Sequence, residues 1–212
     1  MTDGPEPFAT REDVLREQLR VLAEKSGLPV PPLDVEPDPK GRKVPAHVTK
    51  EPGEPERIQV TERLLEATAA EQDWYLAAFL GWWASPEARR RRWRARAVIS
   101  LVVLPCLGLG FADVVGLVEL PEVLLFVGGP VLGAAMQLTI AAVSRWQFGA
   151  LDAVGHDVLR AAGRDPATVA REAFGGRPDP SWFQRLHAIE PVPSERIAAA
   201  ERRRAEPDRP LF

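Results

Sequence analysis

The stretch Trp74-Tyr75-Leu76-Ala77-Ala78-Phe79-Leu80-Gly81-Trp82-Trp83-Ala84 carries no charged side chain, and five of the ten residues from 74 to 83 are aromatic. A helix that is apolar on every side is stable only where other elements cover all of it. The stretch therefore predicts a helix in the protein core, and the segments on either side of it must supply the surfaces that bury it.

The residues before this stretch predict one helix and a small sheet. The helix begins after Thr10, which can cap it, and ends at Gly27. Three short segments of strand type follow, at 33–36, 44–49 and 57–60. Pro45 has no backbone N–H to donate, which limits the second strand to an edge of the sheet. Thr61 can start the next helix, with a break or a continuation near 71–73.

A run of arginines precedes two long apolar segments, 97–118 and 123–143. The run consists of Arg89, Arg90, Arg91, Arg92, Arg94 and Arg96. Each apolar segment has about the ~20 residues that a helix needs to cross a bilayer. Arg145 flanks the second segment, and the turn between the two segments is acidic. The positive-inside rule then places both termini in the cytoplasm.

This pattern predicts a hairpin at 97–143 that inserts into a membrane. The bias toward Ala, Arg and Pro is typical of a bacterial source, so the expected location is the bacterial inner membrane. Asp113 and the internal prolines leave two alternatives open, a re-entrant hairpin or a buried hairpin in a soluble core. The arginine run is interpreted as a topology signal with headgroup contacts, rather than as a nucleic-acid patch in which Trp93 stacks on bases.

The remaining residues, 144–205, predict a C-terminal half made of helices. The expected organisation is an N-terminal half at 10–96, the inserted hairpin at 97–143 and this helical half. The ends, 1–9 and 206–212, are expected to be disordered. The fold class is therefore mainly α with a small β-sheet, an α+β fold.

Composition excludes several classes of function. The formal net charge is −3, so no overall basic field favours nucleic acid as a partner. The single cysteine, Cys106, lies in an apolar segment, where burial would leave its thiol unreactive. The sequence contains neither a nucleophile-elbow motif around a serine nor a phosphate-binding glycine loop. The first ten residues have no apolar core of the kind that a signal peptide requires.

Four segments in order resemble the HtpX-like zinc endopeptidases, which are related to the CAAX prenyl proteases. Residues 58–65 match the strand and helix start of that family, and 75–82 stand where it has "VLAHELGH". Residues 144–152 stand where it has "SRxxExxAD", and 190–197 where it has "HPPxxxRI". The resemblance covers roughly 11–203 and implies a zincin-like metallopeptidase scaffold with an inserted apolar helical hairpin.

The residues that would bind zinc in that family are replaced here. Ala78 and Trp82 stand at the two histidine positions, Phe79 at the general base and Phe148 at the third ligand. A methyl group, phenyl rings and an indole neither ligate zinc nor accept a proton. The expectation is a vestigial active site without zinc, another cofactor or hydrolysis, in which the former polar cavity has become core.

Asp152 keeps the family residue, an aspartate that supports a zinc-binding histidine there. Without that histidine it can pair with Arg145 or His156, or cap local backbone. Asp152 and His156 are four residues apart and would share one helix face, where His187 could join them in a metal site. A simple surface hydrogen bond or ion pair explains the same spacing.

Three functions are compatible with this pattern. The first is a catalytically inactive, membrane-associated pseudopeptidase that binds a peptide or protein along the edge strand, at Val44, Ala46, His47 and Val48. The second is an active metalloendopeptidase whose zinc site is displaced or completed by a partner. The third is a structural membrane subunit that assembles through glycines of its hairpin, Gly108, Gly110, Gly129 and Gly133.

Overall fold

The computed structural model describes residues 10–37, 46–49, 55–86 and 129–205, together with single helical residues between 90 and 108. The elements are mostly helices with one small sheet, which confirms the α+β class. Val44 and most of the arginine run and of the predicted hairpin lie outside the described residues, as do both ends of the chain. None of the helices that the structure describes is both long enough and apolar enough to cross a membrane.

Seven helices and three strands have defined bounds in the described part of the chain. The helices are α1 (Arg11–Ser26), α2 (Glu62–Leu65), α3 (Ala69–Ala84), α4 (Gly129–Ala161), α5 (Pro166–Phe174), α6 (Trp182–His187) and α7 (Pro193–Ala205). The strands are β1 (Leu33–Glu36), β2 (Ala46–Thr49) and β3 (Arg57–Thr61).

The chain forms two compact units. The first consists of Met1–Pro86, Leu151–Arg177 and Pro193–Phe212. The second consists of Glu87–Ala150 and Pro178–Val192, so it contains the whole of the predicted hairpin segment. Helix α4 contributes its first part to the second unit and its last part, from Leu151, to the first.

The first unit begins with α1, whose ends follow the signals in the sequence. The Thr10 hydroxyl accepts a hydrogen bond from the Asp13 backbone N–H, and the Asp13 carboxylate accepts one from the Thr10 N–H, which completes a capping box. At the other end Gly27 has a left-handed conformation, with φ of 69°, that other residues rarely adopt. Between these ends Leu15, Leu19 and Leu22 form the buried face.

The three strands form a sheet in the order β1-β3-β2, with β1 parallel and β2 antiparallel to β3. The central strand carries the apolar contacts of the sheet, because Ile58 and Val60 are fully buried. Ala46 lies opposite Val60, and Val48 lies opposite Ile58. Strand β2, which Pro45 predicted to be an edge strand, therefore lies at an edge of the sheet.

Helix α3 contains the stretch that the sequence placed in the core. Its first turn is capped by Thr68, whose hydroxyl accepts a hydrogen bond from the Glu71 backbone N–H. Twelve of its sixteen residues are buried. Two of the twelve are acids, and each has an arginine partner. Asp73 pairs with Arg164, and Glu71 pairs with Arg177 at 2.5 Å.

The backbones of α3 and α4 touch where glycines remove the side chains between them. A Cβ atom added to Gly155 would lie 2.8 Å from the Cα of Ala78, closer than real Cβ contacts come. A Cβ atom added to Gly81 would lie 3.0 Å from the carbonyl oxygen of Val154. The crossing therefore depends on glycine at position 155, whereas a methyl group at position 81 would require a shift of a few tenths of an ångström.

We expect Gly155→Ala to lower the free energy of unfolding by about 1–3 kcal/mol, because the added methyl group forces the two helices apart. Gly149→Ala, on the same helix, is the matched control, since nothing lies within 4 Å of a Cβ atom there. The control substitution should be neutral or stabilising by up to about 1 kcal/mol through helix propensity. Urea unfolding of both variants measures the difference, and equal effects would show that the crossing is not tightly packed.

Candidate functional site

The positions that the sequence resemblance compared with a zinc-binding helix lie in the packed core of the first unit. Ala78, Phe79 and Trp82 are 1%, 6% and 8% exposed. Asp152, on α4, is 4% exposed. Phe148 is half-buried and belongs to the second unit. The structure therefore gathers α3 and Asp152 in one unit, around the contact between Ala78 and Gly155.

Asp152 is the centre of a buried polar cluster, which we call the Asp152–Arg196 cluster and which also includes Trp74, Tyr75 and Phe174. The Asp152 carboxylate accepts a hydrogen bond from Trp74 Nε1 at 3.0 Å and one from Arg196 Nε at 3.1 Å. Arg196 Nη1 donates to the Tyr75 hydroxyl at 2.9 Å. The side chains of Asp152 and Arg196 are 5% and 4% exposed, so this ion pair is shielded from water.

Aromatic rings enclose the guanidinium of Arg196. Its central carbon lies 5.0 Å from the centre of the Phe174 ring and 5.4 Å from that of Tyr75. Phe174 also meets Trp74 edge-on, with ring centres 5.4 Å apart. A cation held over ring faces in this way gains electrostatic attraction that water would otherwise weaken. The cluster thus joins α3, α4, α5 and α7 through one cation and one carboxylate.

Burial and charge have opposing effects on Asp152. Burial raises the pKa of its carboxyl group, because an isolated carboxylate is poorly solvated in the core. The Arg196 guanidinium and the Trp74 indole N–H offset only part of this effect, so the pKa stays above its ordinary value. The charged form of the carboxyl group therefore depends on these two donors.

His156 adjoins the cluster but carries no charge. It is 3% exposed and meets Trp74 edge-on, with ring centres 5.1 Å apart. Burial, together with the positive charges of Arg203 and Arg160, lowers its pKa to about 4. Among the described residues its Nε2 atom has no hydrogen-bond partner. A neutral imidazole at this position packs as part of the core.

The partner of Asp152 differs from those that its position in the sequence suggested. Arg145 and His156 were the neighbours along the helix, yet the carboxylate bonds to Trp74 and Arg196, which are 78 and 44 residues away. The sequence did contain a signal for Arg196, because this residue stands at the arginine position of the segment that resembles "HPPxxxRI". Sequence reasoning used that arginine for the resemblance and gave it no function.

The alternative metal site is not assembled in the first unit. His187 belongs to the second unit, and Asp152 is occupied by its two donors. His47 lies on β2 opposite Gln59. Within the ranges that the structure describes, no three His, Cys, Asp or Glu side chains are grouped closely enough to hold a metal ion. Cys106 lies outside those ranges.

Two further predicted sets of residues are only partly described. Of the edge-strand set, Ala46, His47 and Val48 lie on β2, with Ala46 buried and the other two half-buried. Of the arginine run, Arg90 and Arg94 are exposed helical residues. Arg145 is half-buried and donates to the carbonyl oxygen of Arg185 at 3.2 Å.

No protein-family model, curated protein or solved structure matches this chain.

We expect Arg196→Met to lower the free energy of unfolding by about 3–5 kcal/mol, because it leaves the Asp152 carboxylate buried without its cation. Adding Asp152→Leu to this variant should recover a large part of the loss, since no unpaired charge then remains in the core. Arg171→Met is the control, because its ion pair with Glu201 is exposed, and it should change stability by less than about 0.5 kcal/mol. Denaturant unfolding of the four proteins tests this, and a double variant as unstable as Arg196→Met would contradict it.

We expect His156 to make the fold sensitive to mild acid. Above its ordinary pKa of 6.5 the imidazole is neutral whether the chain is folded or unfolded. Between pH 6.5 and about 4 only the unfolded chain binds the proton, so the free energy of unfolding falls as the pH falls. The full effect is on the order of 3 kcal/mol.

The measurement is urea unfolding at a series of pH values for the wild type and for His156→Leu. The substitution should flatten the profile between pH 6.5 and 4, because leucine takes up no proton. His187→Leu, in the second unit, is the matched control. This variant should keep the wild-type fall in the free energy of unfolding between pH 6.5 and 4. An unchanged slope in His156→Leu would show that another group carries the acid sensitivity.

Proposed function

We propose that this chain is a non-catalytic, membrane-associated binding protein built on a metallopeptidase-like scaffold. The observation that carries the proposal is the contact between Ala78 and Gly155. Ala78 stands where the HtpX-like family has its first zinc-binding histidine, and here the backbone of α4 closes the space beside it. A histidine side chain would need that space to reach a metal.

The other vestigial positions support the same proposal. Phe79 and Trp82 are buried apolar side chains, so neither a base nor a second ligand faces a solvent-filled cleft. Protein interiors are packed densely, and apolar groups that fill a former cavity gain both burial and dispersion energy. The Asp152–Arg196 cluster holds together helices that a shared zinc ion would connect in an active enzyme.

The binding surface that we propose is the outer edge of β2. In the described sheet, whose order is β1-β3-β2, this strand is an outer strand that pairs with β3. An extended peptide can add to such an edge through main-chain hydrogen bonds. The partner proposed is therefore an unfolded peptide or protein segment, held without hydrolysis.

The proposed location is the bacterial inner membrane, with both termini in the cytoplasm. The arginine run directly before the apolar segment supports it. Exposed apolar side chains in helical residues of this region add to that support. They are Val98, Leu101 and Leu104, which are 45%, 74% and 64% exposed.

The test combines hydrolysis, metal content and binding in one preparation of the full chain. We expect the protein to bind unfolded casein, to leave it uncut and to contain far less than one zinc ion per chain. Ala78→His with Phe79→Glu, Trp82→His and Phe148→Glu restores the ligand types of the family and its general base. That variant should lose at least about 2 kcal/mol of stability and still bind no zinc, because the larger side chain at position 78 meets α4 and the new polar groups are buried in the core.

The edge strand supplies the control for binding. Successive backbone N–H groups of a strand point in opposite directions. Of the two variants His47→Pro and Val48→Pro, one therefore loses an N–H that bonds to β3, and the other loses an N–H that points away from β3. The variant that keeps the wild-type melting temperature should lose casein binding. Cleavage of casein with stoichiometric zinc would overturn the non-catalytic assignment, and unchanged binding in that variant would overturn the edge-strand assignment.

A further inference from the structure

Helix α6 presents an apolar face to the surface of the second unit. Trp182, Phe183 and Leu186 are 75%, 58% and 46% exposed, and Ile189, just beyond the helix, is 41% exposed. None of the residues of α6 is buried. Positions i, i+1 and i+4 fall on one side of a helix, so Trp182, Phe183 and Leu186 form one continuous face. We call it the α6 face.

The α6 face is held in a defined conformation although the helix has only six residues. Ser181 and Gln184 form a capping box at its start, with hydrogen bonds of 3.1 and 3.4 Å. Arg185 bonds to Asp179 at 2.5 Å, and its carbonyl oxygen accepts the hydrogen bond from Arg145. A helix this short does not form by itself in water, so these bonds keep it folded.

The rings on this face are also ordered relative to each other. Trp182 and Phe183 meet edge-on with ring centres 5.8 Å apart, and Phe183 meets His187 at 4.8 Å. The large apolar area therefore needs no rearrangement before it can bind. Preorganised aromatic groups lose little conformational entropy on contact with a partner.

The charge of the second unit identifies the kind of partner. Its residues include eight arginines and six acids, whereas the whole chain is acidic, with a formal net charge of −3. The excess of positive charge lies in the same unit as the apolar hairpin segment and the exposed side chains of Leu101 and Val131. Exposed aromatic and aliphatic side chains combined with arginines are typical of surfaces that lie at an anionic bilayer interface.

We propose that α6 is an interfacial anchor, which lies on the cytoplasmic surface of a bilayer with Trp182, Phe183 and Leu186 inserted among anionic lipid headgroups. The proposal rests on the membrane association proposed above. Indole rings prefer this depth because the ring is apolar while its N–H still reaches polar groups. The anchor would hold the second unit against the membrane surface.

The test places a fluorophore that responds to its environment on the α6 face. Cys106 is the only cysteine, so Cys106→Ser with Phe183→Cys gives one labelling site. Val14→Cys in the same background is the matched control, because Val14 is an exposed apolar residue of the first unit, 48% exposed. Both full-length proteins are mixed with vesicles of phosphatidylcholine, with or without phosphatidylglycerol, and flotation and acrylamide quenching are measured.

We expect quenching at position 183 to fall by about threefold or more with phosphatidylglycerol vesicles, to fall less with phosphatidylcholine alone, and to stay unchanged at position 14. A protein that floats with the vesicles while position 183 remains as quenchable as position 14 would overturn the anchor and leave the membrane association intact. A protein that does not float would overturn both. Protection of position 183 without vesicles would also overturn the anchor, because another protein surface then covers the α6 face.

Discussion

The contact between the backbones of α3 and α4 is the constraint on which the core of the first unit depends. Ala78 and Gly155 meet at the crossing. Trp74 lies one turn before Ala78, and Asp152 lies one turn before Gly155, so each shares a helix face with the residue at the contact. The crossing therefore brings the indole N–H of Trp74 within hydrogen-bonding distance of the Asp152 carboxylate. A wider separation of the helices would break that bond.

The same crossing explains why an ion pair can be buried beside it. Removing a carboxylate and a guanidinium from water costs several kcal/mol for each ion, and their attraction offsets this cost only when further hydrogen bonds complete the site. Here Trp74 and Tyr75 supply those bonds, and the ring of Phe174 faces the cation. We infer that the pair contributes more to fixing the arrangement of four helices than to net stability, since a misaligned helix would leave one charge unpaired.

Local signals in the sequence predicted much of the fold, and long-range pairs account for most of what it missed. The cap at Thr10 and the glycine at position 27 defined α1, and Pro45 assigned β2 to an edge. The sequence left open a break or a continuation near 71–73. The chain breaks before Ala69, and α3 continues through the acids Glu71 and Asp73.

The partners of the buried acids lie too far along the chain to leave a local pattern. Arg164 and Arg177 are 91 and 106 residues from Asp73 and Glu71. The Asp152–Arg196 pair was missed for the same reason, although each residue falls in a segment that resembles the HtpX-like family. Helical spacing identified His156 as the neighbour of Asp152, yet spacing along one helix cannot show which group on another helix approaches more closely.

If the proposed function is correct, the presence of Asp152 beside apolar residues at the former ligand positions is explained by the partners of its carboxylate. A histidine or glutamate that binds zinc directs its ligand atom at the metal, so losing the metal leaves that atom unsatisfied in the core at a cost of about 1–3 kcal/mol. Replacement by Ala, Phe or Trp removes that cost and adds apolar packing. Asp152 is satisfied by Trp74 and Arg196, which belong to the protein itself. On the proposed function, loss of zinc favours apolar residues at the ligand positions and leaves the Asp152–Arg196 cluster in place.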